Sequence, residues 1–90
     1  GVRELAAKGI FPGGTRANLE YYGKRVSWGS QVEETQRIIL ADAQTSGGLL
    51  IAIAGNRVDP LLSALARRRV AVRAHIGEIF AGETGRIQVV

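Results

Sequence analysis

The apolar residues of this chain follow two spacings, and each spacing predicts a different kind of element. Val32, Thr35 and Ile38 recur at the spacing of one helix face. This pattern fades at Ala41-Asp42, so we predict that the helix ends there. Leu49 to Ala54 are six consecutive apolar residues, and such a run predicts a strand that is buried on both faces in the centre of a sheet. The middle of the chain is therefore predicted to form a helix followed by a central strand.

Residues with strong positional preferences mark the ends of the other helical segments. The chain begins with what reads as the tail of a helix, and Gly9 is placed as its C-terminal stop. Asn18 would cap a short helical turn through Tyr22. Ser30 and Glu33 have the spacing of a capping box, in which each side chain satisfies the other residue's free backbone N–H. The middle helix is therefore predicted to start at this box.

The last helix has a predicted start, a predicted apolar face and a basic end. Asp59 is a natural N-cap, and Pro60 suits the first helical position because proline has no N–H to lose there. Arg67 to Arg69 follow at the helix end, where positive charge suits the helix dipole. The predicted buried stripe consists of Leu61, Leu62, Leu65 and Ala66.

The remaining apolar stretches predict strands. Arg25 to Trp28 form a short strand, and Val70 to Ala74 alternate in strand fashion. Ile76 to Phe80 and Arg86 to Val90 flank a glycine-bounded connection, which predicts a hairpin. The element order predicts an α+β fold, or a mixed α/β layer, with a sheet and helices packed on one of its faces.

Two turns combine a glycine pair with hydroxyl side chains. Backbone N–H groups of such turns can converge on an anionic oxygen, and hydroxyl groups add further donors. On local chemistry alone a purely architectural role is the better interpretation of each turn, because glycine pairs are common in turns, and neither has the sequence of a P-loop. Arg16 would supply charge to the first turn. The candidate residues are Gly13, Gly14, Thr15 and Asn18 in the first turn, and Thr45, Ser46, Gly47 and Gly48 in the second.

Composition limits the chemistry that these turns could serve. The chain has 90 residues, a formal net charge of +4 and 46% hydrophobic residues, as expected for a globular protein. It has no cysteine, which excludes disulfides and thiolate chemistry and fits a reducing cytoplasm. No apolar run approaches the length of a membrane span. The chain starts at Gly1 without a methionine, so we expect it to be part of a longer protein.

Catalytic and nucleic-acid signatures are weak. His75 has no second histidine or carboxylate pair at metal-ligand spacing, so a structural or exposed role is the better interpretation. Arg67 to Arg69 are read as a solvated helix end rather than a patch for nucleic acid. We therefore expect no catalytic residue, no metal ligand and no specific nucleic-acid partner in this chain.

The two glycine turns and the closing segment together resemble selenophosphate synthetase (selenide, water dikinase), and the resemblance runs through essentially the whole chain. The family typically has Pro-Gly-Gly-Thr-x-x-Asn followed by Asp-Pro-Gln-Thr-Ser-Gly-Gly-Leu-Leu, and Ile76 to Ile79 also fit its pattern. Ala43 replaces the usual proline, which frees a backbone N–H and loosens the turn. The matching residues are Pro12, Gly13, Gly14, Thr15 and Asn18, then Asp42, Gln44, Thr45, Ser46, Gly47, Gly48, Leu49 and Leu50.

The resemblance implies the C-terminal half of the C-terminal domain, of the aminoimidazole ribonucleotide synthetase-like superfamily, so residues 1–90 would be a single domain fragment. It implies a cytoplasmic, homodimeric enzyme that uses ATP and Mg²⁺ to convert selenide to selenophosphate for selenocysteine synthesis. The reactive cysteine or selenocysteine, its lysine and the metal-binding aspartates would lie upstream. The fragment alone would be inactive and bind no cofactor, and its glycine turns would shape the cleft between the domains.

Two alternatives stay open on sequence grounds. One is another ATP-dependent synthetase domain of the same superfamily, although the Gln-Thr-Ser-Gly-Gly stretch argues against it. The other is a free-standing basic α+β module with a binding or regulatory role, which the arginine excess supports. A half-domain would leave an apolar face uncovered, so we predict that the chain self-associates, as a dimer that pairs strands.

Overall fold

Four α-helices and two β-strands make up the regular structure of the part of the chain that the computed structural model describes, residues 1–43 and 47–90. Two single turns of 3₁₀ helix lie at Gly23–Arg25 and Gly55–Arg57. The predicted α+β class is confirmed. The helices are α1 (Val2–Ala7), α2 (Gly13–Tyr22), α3 (Glu34–Leu40) and α4 (Val58–Arg67), and the strands are β1 (Val26–Trp28) and β2 (Ile87–Val89).

Helix α1 ends at the predicted glycine. Gly9 has φ 74°, in the left-handed region that a residue without Cβ enters at no steric cost. Its N–H donates to the Ala6 carbonyl at 2.9 Å, and the N–H of Ile10 donates to the Leu5 carbonyl at 2.9 Å. These two bonds form a Schellman motif, which satisfies carbonyls that the helix itself leaves free.

Helix α4 ends in the same motif without a glycine. The N–H of Arg69 donates to the Ala66 carbonyl at 2.9 Å, and the N–H of Val70 donates to the Leu65 carbonyl at 3.0 Å. Arg69 has φ 59°, and it alone among the described non-glycine residues has positive φ. A side chain with a Cβ is disfavoured in this conformation. The end of α4 therefore requires a backbone conformation that is strained for Arg69.

The capping box of α3 lies three residues later than predicted. Glu33, not Ser30, is the N-cap, and its box partner is Gln36, whose side-chain oxygen accepts from the Glu33 N–H at 2.9 Å. The N–H of Val32 donates to the Gly29 carbonyl at 3.0 Å, which closes a separate turn before the helix. This turn places the buried Val32 outside α3, so the helix cannot begin at Ser30.

Helix α2 begins five residues before the predicted cap. Pro12, with extended backbone angles, is its N-cap, and Gly13 is its first residue. The predicted loop with an Asn18-capped turn is therefore wrong, and Asn18 lies inside the helix. The side chain of Asn18 bonds instead to the Ala41 carbonyl, so a tertiary partner has replaced the local capping role.

The start of α4 also differs from the prediction. Arg57 is the N-cap, and Asp59 and Pro60 lie within the first turn rather than at the cap and the first position. The 3₁₀ turn that ends at Arg57 continues directly into the helix, so the helix starts at Val58, earlier in the chain than predicted. Pro60 is tolerated because the first N–H groups of a helix have no acceptor within it.

The apolar face of α4 is less covered than predicted. Leu61, Leu62 and Leu65 are half-buried, and Ala66 is exposed. None of the residues of α4 is fully buried, because little of the described chain packs over this face.

The two strands pair in parallel, in the register Val26 with Ile87 and Trp28 with Val89. The N–H of Gly29 extends the pairing by donating to the Val89 carbonyl at 2.7 Å. The strand predicted at Arg25 to Trp28 is therefore confirmed. The predicted hairpin is wrong, because residues 87–89 pair with β1 and not with residues 76–80.

The strands predicted at residues 49–54, 70–74 and 76–80 are absent from the described structure, which has no regular element there. Leu49 is 90% exposed and Val72 is 91% exposed. A strand forms only against a neighbour that completes its backbone hydrogen bonds. No such neighbour is described for these segments, so their apolar sequence alone does not make them strands.

The described chain divides into two compact units. Unit 1 consists of residues 1–47 and 82–90, and unit 2 consists of residues 48–81. The buried side chains, Ala6, Thr15 and Val32, belong to unit 1, in which α1 and α2 both contact α3. That residues 1–90 form a single domain fragment stays a prediction.

Candidate functional site

The first glycine motif lies at the start of a helix rather than in an open loop. Gly13, Gly14 and Thr15 form the first turn of α2, and Asn18 follows one turn later. The N–H of Thr15 donates to the Pro12 carbonyl at 3.1 Å. N–H groups in the first turn of a helix have no acceptor within the helix. The Thr15 N–H is therefore already used, and of the candidate anion-binding donors in this first turn only the N–H groups of Gly13 and Gly14 lack an acceptor within the helix.

Two side-chain hydrogen bonds join the first motif to the start of the second. The Thr15 Oγ1 donates to the Asp42 Oδ1 at 2.6 Å, although the two residues are 27 positions apart. The Asn18 Nδ2 donates to the Ala41 carbonyl at 3.0 Å. Thr15 is 0% exposed, and Asp42 is half-buried. The structure thus joins the first motif to Ala41 and Asp42, which precede the second turn in the chain.

The two helix glycines have no steric reason to be glycine within the described structure. A Cβ built on Gly13 would meet nothing within 4 Å, and one on Gly14 would meet only the Ala43 Cβ at an ordinary 3.5 Å. Neither residue has positive φ. Glycine in a helix costs stability relative to alanine, so its presence here calls for another reason. Close approach of a ligand or another chain segment to the backbone is such a reason.

The second motif is described only in part. Gly47 and Gly48 are exposed, and a Cβ on Gly48 would meet nothing within 4 Å. The predicted site residues Thr45 and Ser46, with Gln44 before them, lie outside the described residues.

A cavity of about 240 Å³ opens in unit 1 beside the joined motifs. Asn18 and Asp42 contribute polar groups to its lining, and Tyr22, Val26 and Trp28 contribute apolar surface. Sequence analysis did not assign the aromatic residues to the site. Tyr22 ends α2 and Trp28 ends β1, and the closeness of these two aromatic residues in the sequence was the signal that could have suggested it.

Arg16, which was expected to supply charge to the first turn, lies against an aromatic ring. Its guanidinium carbon is 5.7 Å from the centroid of the Phe11 ring, a distance at which cation and ring attract each other. Arg16 and Phe11 also line a second cavity of about 350 Å³, which Glu34 borders. The charge of Arg16 is thus held beside α1 and α3.

The remaining candidates, His75 and the arginine run, belong to unit 2. The Nε2 of His75 lies 2.8 Å from the Gly77 carbonyl in an exposed position. Arg67, Arg68 and Arg69 are exposed at the end of α4. Within residues 1–43 and 47–90, no three histidine, cysteine, aspartate or glutamate side chains form a group that could hold a metal ion. None of the helices described there has both the length and the apolar character to cross a bilayer.

Nearly the whole chain is similar to enzymes named selenide, water dikinase. It is 40% identical to the one from Pelobacter propionicus over 86 residues, which are 96% of this chain and 25% of that protein. With the one from Paraburkholderia xenovorans it shares 40% identity over 96% of this chain and 24% of the relative. It is 37% identical to the one from Carboxydothermus hydrogenoformans over 99% of this chain and 25% of that protein. The chain is related to the C-terminal part of the selenide, water dikinases.

The resemblance drawn from the two glycine motifs is thereby confirmed. The chain spans about a quarter of the length of the curated relatives that it matches. No family model matches the chain. No solved structure matches it either. The family relationship therefore rests on sequence, and the geometry described above shows how the shared motifs are arranged.

Proposed function

We propose that this chain forms the C-terminal part of a selenide, water dikinase, a phosphotransferase that converts selenide, ATP and water to selenophosphate, AMP and phosphate. The observation that carries the proposal is the identity of about 40% over nearly the whole chain. The arrangement of the motifs supports it, because the residues that carry the resemblance meet at Thr15 and Asp42.

The role of this part is to shape the wall of the cleft between the domains of the enzyme. The first motif contributes Gly13, Gly14, Thr15 and Asn18, and the second contributes Thr45, Ser46, Gly47 and Gly48. Two observations support this role. The helix glycines lack a packing reason within the described structure, and the start of α2 offers free backbone donors.

ATP and Mg²⁺ are the expected cofactors of the whole enzyme, with the metal held by the part of the protein upstream of this chain. In this proposal the chain supplies no metal ligand and no catalytic residue. The start of α2 suits a phosphate oxygen in chemical terms, since the N–H groups of Gly13 and Gly14 have no acceptor within the helix. The chain's contribution is to bind and orient, while the rest of the enzyme supplies the chemistry.

The remainder of the synthetase chain is the principal partner in this proposal. The exposed apolar side chains of unit 2 support it, because surfaces of this kind are normally covered in a stable soluble protein. We further propose a homodimeric, cytoplasmic enzyme that serves selenocysteine synthesis and binds no specific nucleic acid.

The overall reaction is tested with the full-length enzyme. Selenide-dependent release of AMP from ATP should be present in the complete protein and absent when residues 1–90 are removed. The 90-residue chain alone should release none. AMP release that does not depend on selenide would contradict the proposal and would favour another ATP-dependent synthetase.

The role of the glycines is tested by alanine substitution in the same full-length enzyme. Gly13→Ala with Gly14→Ala, and separately Gly47→Ala with Gly48→Ala, should raise the KM for ATP while the protein stays folded. Gly55→Ala is the matched control, since a Cβ there also meets nothing within 4 Å and Gly55 lies outside both motifs. An unchanged KM in both double variants would leave the glycines with an architectural role only.

A further inference from the structure

We infer that Thr15 is a positioning residue: its buried hydroxyl holds the Asp42 carboxylate and so sets where the second glycine motif begins. The inference rests on the proposed function, and it assigns different tasks to residues of the first motif. Gly13 and Gly14 would face the cleft, whereas Thr15 would act on the cleft through Asp42 without touching a ligand.

The burial of Thr15 separates it from any ligand. The residue is 0% exposed, so no ligand atom can reach its side chain without rearrangement of the fold. A threonine hydroxyl has one proton to donate, and in Thr15 that proton is given to the Asp42 Oδ1 at 2.6 Å. This separation is typical of the short, strong bonds between a hydroxyl and a carboxylate. The one proton that the hydroxyl can donate is therefore used within the protein.

A second hydrogen bond, from Asn18, attaches the same chain segment to α2. Thr15 and Asn18 are three residues apart on α2 and so lie on the same face of the helix. They hold two consecutive residues, since Asn18 bonds to the Ala41 carbonyl while Thr15 bonds to the Asp42 side chain. Two attachment points fix both the position and the direction of the chain as it leaves α3.

The backbone before this point is also held. The N–H of Ala41 donates to the Arg37 carbonyl at 3.1 Å, and the N–H of Asp42 donates to the Ile39 carbonyl at 3.3 Å. The chain therefore enters the second motif from a segment fixed to both α3 and α2. Small displacements of binding groups lower affinity and rate, which makes such a support functionally important.

The test compares three single variants of the full-length enzyme. Thr15→Val keeps the shape of the side chain and removes the hydroxyl, so we expect the KM for ATP to rise about tenfold, with kcat within about twofold of the original. Thr15→Ser keeps the hydroxyl and should restore most of the loss. Val32→Ala removes a buried side chain of the same unit that belongs to neither motif, and it should lower the Tm without changing KM.

Amide hydrogen exchange of the same proteins supplies a readout that does not depend on activity. In Thr15→Val, exchange should accelerate in peptides covering residues 41–50 and stay unchanged in β1 and β2. Acceleration throughout unit 1 would overturn the inference. It would also be overturned if Thr15→Val and Val32→Ala raised the KM in the same proportion as they lowered the Tm. A local change in exchange with an unchanged KM would also overturn it, because the segment would then be held without effect on binding.

Failure of the proposed function has a different signature. If the unsubstituted enzyme showed no selenide-dependent AMP release, the synthetase proposal would be refuted, whatever the variants do. Exchange in residues 41–50 would then still decide whether Thr15 holds the segment, and a binding measurement with ATP alone would decide whether that matters for nucleotide affinity.

Discussion

Units 1 and 2 contain the same kinds of sequence signal, but their apolar residues have different surroundings. In unit 1, Val32 is 6% exposed, and β1 has β2 as a partner. In unit 2, Val72 is 91% exposed, and the most apolar segment of the chain, residues 49–54, has no strand partner among the described residues. An apolar segment is stabilised by burial, and burial requires a second surface that packs against the segment.

The largest expected effect concerns this uncovered surface. The 90-residue chain should self-associate at about 50 µM, because apolar patches of this kind drive association. Sedimentation velocity should give a dimer or a larger species, and Leu49→Lys with Val72→Lys should shift it toward monomer. A monodisperse monomer of the unaltered chain would contradict the prediction.

Matched valine substitutions test the comparison directly. Val32→Ala should lower the free energy of unfolding by about 2 kcal/mol, because it removes buried methyl groups and leaves a cavity. Val72→Ala should cost less than about 0.5 kcal/mol in the 90-residue chain. Urea denaturation measures both.

The same pair in the full-length enzyme sharpens the result. If the remainder of the synthetase covers unit 2, Val72→Ala should there become about as costly as Val32→Ala. An equally small cost in both proteins would show that Val72 stays exposed.

The corrected capping box of unit 1 gives a smaller effect. Glu33→Ala should destabilise α3 by about 1 kcal/mol, because it frees a backbone N–H that the side chain now satisfies. Ser30→Ala is the control and should change little, since Ser30 lies outside the helix. Thermal unfolding followed by circular dichroism measures the stability of both variants. A larger loss in Ser30→Ala than in Glu33→Ala would support the capping box that was predicted at Ser30.

The smallest effect compares the helix ends of the two units. Gly9→Ala should cost about 1 kcal/mol because alanine is strained at φ 74°. Arg69→Gly should instead stabilise α4, by about 0.5 kcal/mol, because it relieves φ 59° at the equivalent position. Denaturant midpoints of the two variants should move in opposite directions, and a shared direction would show that Arg69 is not strained.

Much of the local structure could be predicted from single residues. Gly9 ends α1 as predicted, because its preference for positive φ belongs to the residue itself. The starts of α2 and α3 were misplaced because each has a competing partner, the Ala41 carbonyl for Asn18 and a separate turn for Val32. That both motifs line one cleft stays a prediction from the resemblance, and the sequence did not reveal the bond between Thr15 and Asp42. The bond joins positions 27 residues apart, so no local pattern contains it.

The α+β class, the end of α1 and the relationship to the selenide, water dikinases could all be predicted from the amino-acid sequence. These features follow from residue preferences and from motifs that are contiguous in the chain. Tertiary contacts were needed to show that Ile87–Val89 pairs with Val26–Trp28, and that Thr15 of the first glycine motif bonds to Asp42. Both are contacts between distant segments, and their free energy is gained only when the chain closes the loop between them.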